Sequence, residues 1–187
     1  MRNLFLFSFL FTVFVSFGND LPNDLPRQVA RELKKQFGKN EVVLFEENRE
    51  ALLDKTGRFF RIQSNSDSAT RGYLHYGRVK TCRAGGCALP GKNDSGADSE
   101  YFDYLILFGA DASVQSVKIY NYQASYGHEI TSRGWLKQFR EFTTDDTLRV
   151  GKNIDTISGA TVSVHAITND VQWKTRLLKK IILYGQL

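Results

Sequence analysis

The residues best placed to do chemistry lie in Asp155-Thr156-Ile157-Ser158-Gly159-Ala160-Thr161-Val162-Ser163. Small residues crowd around one threonine hydroxyl, an aspartate stands upstream, and the longest helical pattern of the chain follows directly. A helix start presents backbone N–H groups without partners and a partial positive charge, which suits a phosphate. Gly159 and Ala160 let a ligand approach the backbone closely. The same residue types also make an ordinary helix N-cap, where Ser and Thr are preferred. Spacing alone leaves both readings open.

This segment resembles the flavinylation motif of the FMN-binding domain family, which includes the flavin subunits of the sodium-pumping NADH:quinone reductase and of the Rnf-type oxidoreductase. The resemblance is strong over residues 155–163, weaker back to about Tyr126, and rests on order and length alone in the N-terminal half. It implies FMN joined through its phosphate to Thr161 by a flavin transferase that uses FAD and magnesium. Asp155, Ser158, Gly159, Ala160 and Ser163 would complete the cofactor-binding segment. Many relatives carry a Glu-Thr-Pro-Gly loop near the flavin ring. Here Tyr126-Gly127-His128-Glu129-Ile130 occupies that region, and only Glu129 matches. The resemblance makes His128 and Glu129 candidate ring neighbours, and a plain polar turn is the alternative. An imidazole beside a flavin would tune its electrostatics near neutral pH.

Cys82 and Cys87 are the two cysteines of the chain. In an exported protein such a pair most simply forms a disulfide. Closing so small a loop stabilises by only ~2 kcal/mol, so a redox pair exchanging electrons with a flavin, or two free thiols, stays open beside it. Zinc is disfavoured because no second ligand pair accompanies them, and covalent haem because Cys-x-x-Cys-His is absent. His75 and His165 have no evident partner and read as structural. Tyr101, Tyr104, Tyr120, Tyr122 and Trp135 could stack on an isoalloxazine, but strand-spaced aromatics more often build a core.

The elements that must position these groups follow from periodicity. Arg27 to Phe37 is an amphipathic helix with Val29, Leu33 and Phe37 on one face, stopped by Gly38. Strands are expected over 41–46, 58–63, 72–82, 101–108 and 114–122, with a turn at 109–112 between the last two. A brief helix is expected over 48–55, a loop rich in Gly, Pro and Asp over 82–100, a short helix over 135–142 and a short strand over 150–154. The closing helix runs from about Ser163 to Leu183, with Val164, Ile167, Val171, Leu178 and Ile181 on one face. Lys174, Arg176, Lys179 and Lys180 fall in its C-terminal half, where cations complement the helix dipole. The fold class is α+β: a mainly antiparallel sheet with packed helices and a closing C-terminal helix.

The first residues read as targeting rather than fold. Arg2 precedes an apolar run from Leu4 to Phe17, and Ser16 and Gly18 are small enough for cleavage after Gly18. The run spans about 14 residues, below the ~20 of a transmembrane helix. A cleaved secretory signal over 1–18 followed by one domain over 19–187 is expected; an uncleaved anchor, as the respiratory-pump relatives have, is the rival.

The 187 residues suffice for one ordinary domain, and 42% hydrophobic content supports a packed core. The net charge is +5; without 1–18 it is 24 basic against 20 acidic residues, or +4, spread along the chain. That pattern lacks the basic block that nucleic acid would call for. The expectation is an exported, periplasmic or extracytoplasmic electron carrier whose partners are a flavin transferase, a membrane redox donor and an extracytoplasmic acceptor. A flavin-dependent reductase using Cys82 and Cys87, and a secreted binding domain without flavin, are the competing classes.

Overall fold

The computed structural model describes residues 21–22, 24–39, 41–47, 56–81 and 100–185. The targeting segment expected over 1–18, the helix expected over 48–55 and the loop bearing Cys82 and Cys87 lie outside the described residues.

Helix α1, Arg27–Phe37, begins after Pro26, and Gly38 ends it in a positive-φ conformation with its N–H donating to the Lys34 carbonyl. Five strands follow: β1 Val42–Glu46, β2 Gly57–Ser64, β3 Thr70–Lys80, β4 Tyr101–Phe108 and β5 Val114–Gln123. They form one antiparallel sheet in the order β1-β2-β3-β4-β5, each strand pairing with its sequence neighbour. Beyond β5 come a 3-10 turn His128–Thr131, helix α2 Arg133–Leu136, a second 3-10 turn Lys137–Phe139 and the long helix α3 Thr161–Gly185. The architecture is the expected α+β fold.

Strand alternation sorts the core into two layers. Phe102, Tyr104, Ile106 and Phe108 of β4 face α3 and the α2 region, packing with Val164, Ile167, Val171, Leu178 and Ile181. Leu105 and Leu107 face the opposite side, with Val29 and Leu33 of α1. With both faces covered, β4 reads as an almost unbroken apolar run, Tyr104-Leu-Ile-Leu-Phe108.

Among the buried polar residues described, two are ionisable. His75 on β3 is fully buried between the rings of Phe59 and Tyr104, at 4.4 and 5.6 Å between centroids. Burial pushes its imidazole down to about 3, so it stays neutral across the physiological range. Lys174 is 1% exposed. It lies in the C-terminal half of α3 as expected, but it faces the core. It stands three residues after Val171 and four before Leu178, which places it on the buried stripe. There its Nζ donates to Thr56 Oγ1 at 2.8 Å and lies 3.7 Å from Asp170 Oδ1. Asp170 in turn accepts a hydrogen bond from the buried Tyr104 hydroxyl.

Burial pushes Asp170 up to about 6, opposed by the Tyr104 hydrogen bond, and pushes Lys174 down to about 8. A carboxyl that holds its proton more tightly folded than unfolded stabilises the protein most below its ordinary value near 3.8. That contribution is lost as pH rises through about 6. Asp170→Asn is expected to remove this dependence. In urea unfolding, the stability of the natural protein relative to the variant should fall by on the order of 1–3 kcal/mol between pH 4 and pH 6.5.

Candidate functional site

Helix α3 opens at Thr161, two residues before the expected start. Its first intrahelical bond runs from Val164 N–H to the Ala160 carbonyl at 2.9 Å. The amides of Thr161, Val162 and Ser163 are thus left without helical partners. The residue in the capping position is Ala160, which is buried and has no side-chain acceptor to offer them. Thr161 is exposed as the first helical residue rather than the cap. Among the described residues, its hydroxyl and that of Ser158 accept and donate no hydrogen bond. Gly159 takes φ +76° in the turn before the helix, which is closed by Ala160 N–H to the Ile157 carbonyl at 3.1 Å. An L side chain at that φ would be strained.

The approach to this turn is clamped on both sides of Asp155. Trp135 Nε1 donates to the Asp155 carbonyl at 3.0 Å, and Gln138 Oε1 accepts from the Asp155 amide at 2.7 Å. Gln138 also donates to the Trp135 carbonyl at 3.0 Å, locking the clamp. The Asp155 side chain itself points to solvent. Trp135 is therefore core and clamp. The helix expected over 135–142 is shorter and begins earlier: Ser132 caps α2 through its hydroxyl, and Arg140 leaves the helical region. Glu141 and Phe142 then turn back to pair with Val114 on β5. The strand expected over 150–154 is also corrected. The Arg149 carbonyl accepts from Lys152, Asn153 and Ile154 amides, and only Val150 and Ile154 form a bridge. The apolar ends of that segment flank a tight polar turn rather than a strand.

Ser163 looks inward. It is 4% exposed, and its hydroxyl shares a 2.9 Å hydrogen bond with the Tyr122 hydroxyl, which also donates to the Tyr126 carbonyl. Gly127, at φ +86°, passes directly beneath: a Cβ there would meet Ser163 Oγ and Tyr122 Oη at 3.0 Å and Ala160 Cβ at 3.2 Å. This close passage lays Tyr126, 66% exposed, beside the helix start. Glu100, Tyr126, Gly159, Ala160, Thr161, Val162 and Ser163 line a pocket of about 360 Å³, within the ~300–1,000 Å³ of small-molecule sites. Glu100 is fixed there by accepting from the Ser125 amide at 3.1 Å.

His128 and Glu129 are exposed in the 3-10 turn that follows Gly127 and do not line this pocket. The His128 ring stands edge-on to Tyr122, 5.5 Å between centroids. Tyr126 and Glu100 are the lining residues that sequence reasoning missed. Glu100 is brought in by the pairing of β4 with β5, and nothing local in its sequence marks it. Tyr126 carried a weak signal, an aromatic immediately before a glycine ahead of the motif. Tyr104 is core, and Tyr101 and Tyr120 lie elsewhere on the sheet.

An exposed, unengaged hydroxyl, three amides without helical partners and an adjoining pocket define a site for a phosphorylated small molecule. The family model of the FMN-binding domain matches residues 102–173, from β4 to the middle of α3. Over that segment the chain is similar to the FMN-binding domain family, which supports a flavin-binding protein. No curated protein matches the chain.

Gly127→Val is expected to lower stability by ~2–4 kcal/mol, because it adds backbone strain to a collision with the Tyr122–Ser163 pair. Ser163→Ala should cost only ~1 kcal/mol, the worth of one hydrogen bond. Urea unfolding followed by tryptophan fluorescence orders the two; equal losses would mean that the close passage does not constrain the helix start.

Proposed function

We propose that this protein is an exported flavoprotein that carries FMN as a phosphoester on Thr161 and relays electrons between a membrane donor and an extracytoplasmic acceptor. The observation that carries the reading is the free, solvent-facing Thr161 hydroxyl at the uncapped start of α3, inside the segment that matches the FMN-binding domain. The residues fit the group. A phosphate beside Thr161 would lie at the positive end of α3, where the amides of Thr161 to Ser163 have donors to offer. Tyr126 and Val162, both largely exposed, give the pocket apolar surface against which a flavin could rest. The apolar run of residues 4–17 supports export.

In the attachment step, Thr161 Oγ forms a bond to the phosphorus of the FMN half of FAD, AMP leaves, and the threonine proton is released. Bound FMN would supply the electron chemistry. The protein supplies position: the Asp155 clamp holds the segment, and the Tyr122–Ser163 bond holds the helix start. A tether keeps a soluble cofactor at high local concentration outside the cell.

Co-expression with a flavin transferase should add the mass of one FMN less one water. Thr161→Ala should abolish that increase and the in-gel flavin fluorescence of the denatured protein, while Thr161→Ser should keep a measurable fraction of both. Flavin retained by Thr161→Ala, or no adduct on the natural protein, overturns the assignment. In the flavinylated protein, Tyr126→Leu is expected to raise flavin emission severalfold, since a phenol in contact with an excited flavin quenches it. Unchanged emission would remove Tyr126 from the flavin pocket.

A further inference from the structure

A second feature, away from the Thr161 pocket, lies along the outer edge of β5. Because β5 is the last strand of the sheet, one row of its backbone groups faces outward. At its start that row is used: Val114 N–H donates to the Phe142 carbonyl at 2.9 Å, Glu141 N–H to the Val114 carbonyl at 2.7 Å, and Arg140 Nε to the Gln115 carbonyl at 3.3 Å. From Ser116 onward, no backbone bond to this outer row occurs among the described residues. A groove of about 250 Å³ runs here, with residues 115–119 as its floor, α1 on one side and the α2 region on the other.

The groove walls carry charge of one sign. Lys35 of α1, Lys118 of β5, Arg133 of α2, Lys137 and Arg140 all line it, against a single acid, Glu32. Lys118 and Glu32 neutralise each other at 2.6 Å. Lys35, Arg133, Lys137 and Arg140 are exposed and make no ion pair among the described residues. Four cations from separate elements thus converge on an open strand edge. Edge strands are often protected by a lysine of their own, but here the uncompensated charges come from flanking helices and 3-10 turns. At Val114 the edge already exchanges two backbone bonds with Glu141 and Phe142, and Glu141, at φ +64°, leaves the extended conformation that would prolong them.

We propose that the outer edge of β5 is a docking site for an extended, acidic segment of a partner protein. The segment would add as a strand along Ser116–Ile119, with its carboxylates against Lys35, Arg133, Lys137 and Arg140. This surface does not depend on flavin. It is nevertheless contiguous with the motif through α2, which presents Arg133 to the groove and Trp135 to Asp155.

The test uses the full chain and a short fluorescein-labelled peptide alternating Glu and Thr, titrated by fluorescence anisotropy at low and at physiological salt. Saturable binding is expected, weakened about tenfold or more by Lys35→Glu, Arg133→Glu and Lys137→Glu combined, with a shallower salt dependence. Lys34→Glu with Arg176→Glu, two exposed cations off the groove, should leave it unchanged. The same peptide N-methylated at alternate residues, which cannot form the ladder, should lose binding. No binding at low salt, equal binding by the triple variant, or equal binding of the methylated peptide overturns the proposal. If the natural chain ignores the peptide while the triple variant self-associates in sedimentation, the cations only guard the edge and the proposal fails.

Discussion

The hydrogen bond between the Tyr122 and Ser163 hydroxyls, 2.9 Å long, joins the sheet to the start of α3. Tyr122 belongs to β5 and packs on Phe102 of β4, ring against ring at 5.9 Å. Ser163 belongs to the first turn of the closing helix. The bond therefore sets where that turn stands relative to the core, and with it the direction of the Thr161 side chain. Only a glycine fits beneath the pair. Gly127 in turn decides where Tyr126 emerges, so one hydroxyl contact organises both sides of the pocket.

The rest of α3 is held by a stripe that is not purely apolar. Ile167, Val171, Leu178 and Ile181 pack on the sheet, and Lys174 and Asp170 enter among them. Charged groups removed from water are costly unless bonded. Here each has a partner: Thr56 for Lys174, the Tyr104 hydroxyl for Asp170. Thr56 immediately precedes β2, Tyr104 lies in β4, and Asp170 and Lys174 lie in α3. The network thus ties the helix to two strands across the sheet. Oily packing alone tolerates sliding; directional bonds fix the register of helix on sheet.

Much of the frame was legible in the sequence because its signals were strong and local. The bounds of α1 followed from Pro26, the Val29–Leu33 spacing and Gly38. The limits of β4 followed from an apolar run that only a strand buried on both faces requires. The burial of Lys174 went unread because its charge drew attention to the helix dipole, although Val171 and Leu178 bracket it at helical intervals. Residues 150–154 looked like a strand because Val150 and Ile154 are apolar, yet the intervening Gly-Lys-Asn favours a turn. At the site, Thr161 was conspicuous by its neighbours. Glu100 could not be, since only strand pairing carries it some sixty positions along the chain to the same pocket.

One further consequence comes from where the two helical layers sit in the chain. The inner face of β4 stays uncovered until Val164 to Ile181 arrive, well downstream of it in the chain. During synthesis β4 leaves the ribosome before the helix that covers it. Contacts between distant parts of the chain therefore set the rate at which the core closes.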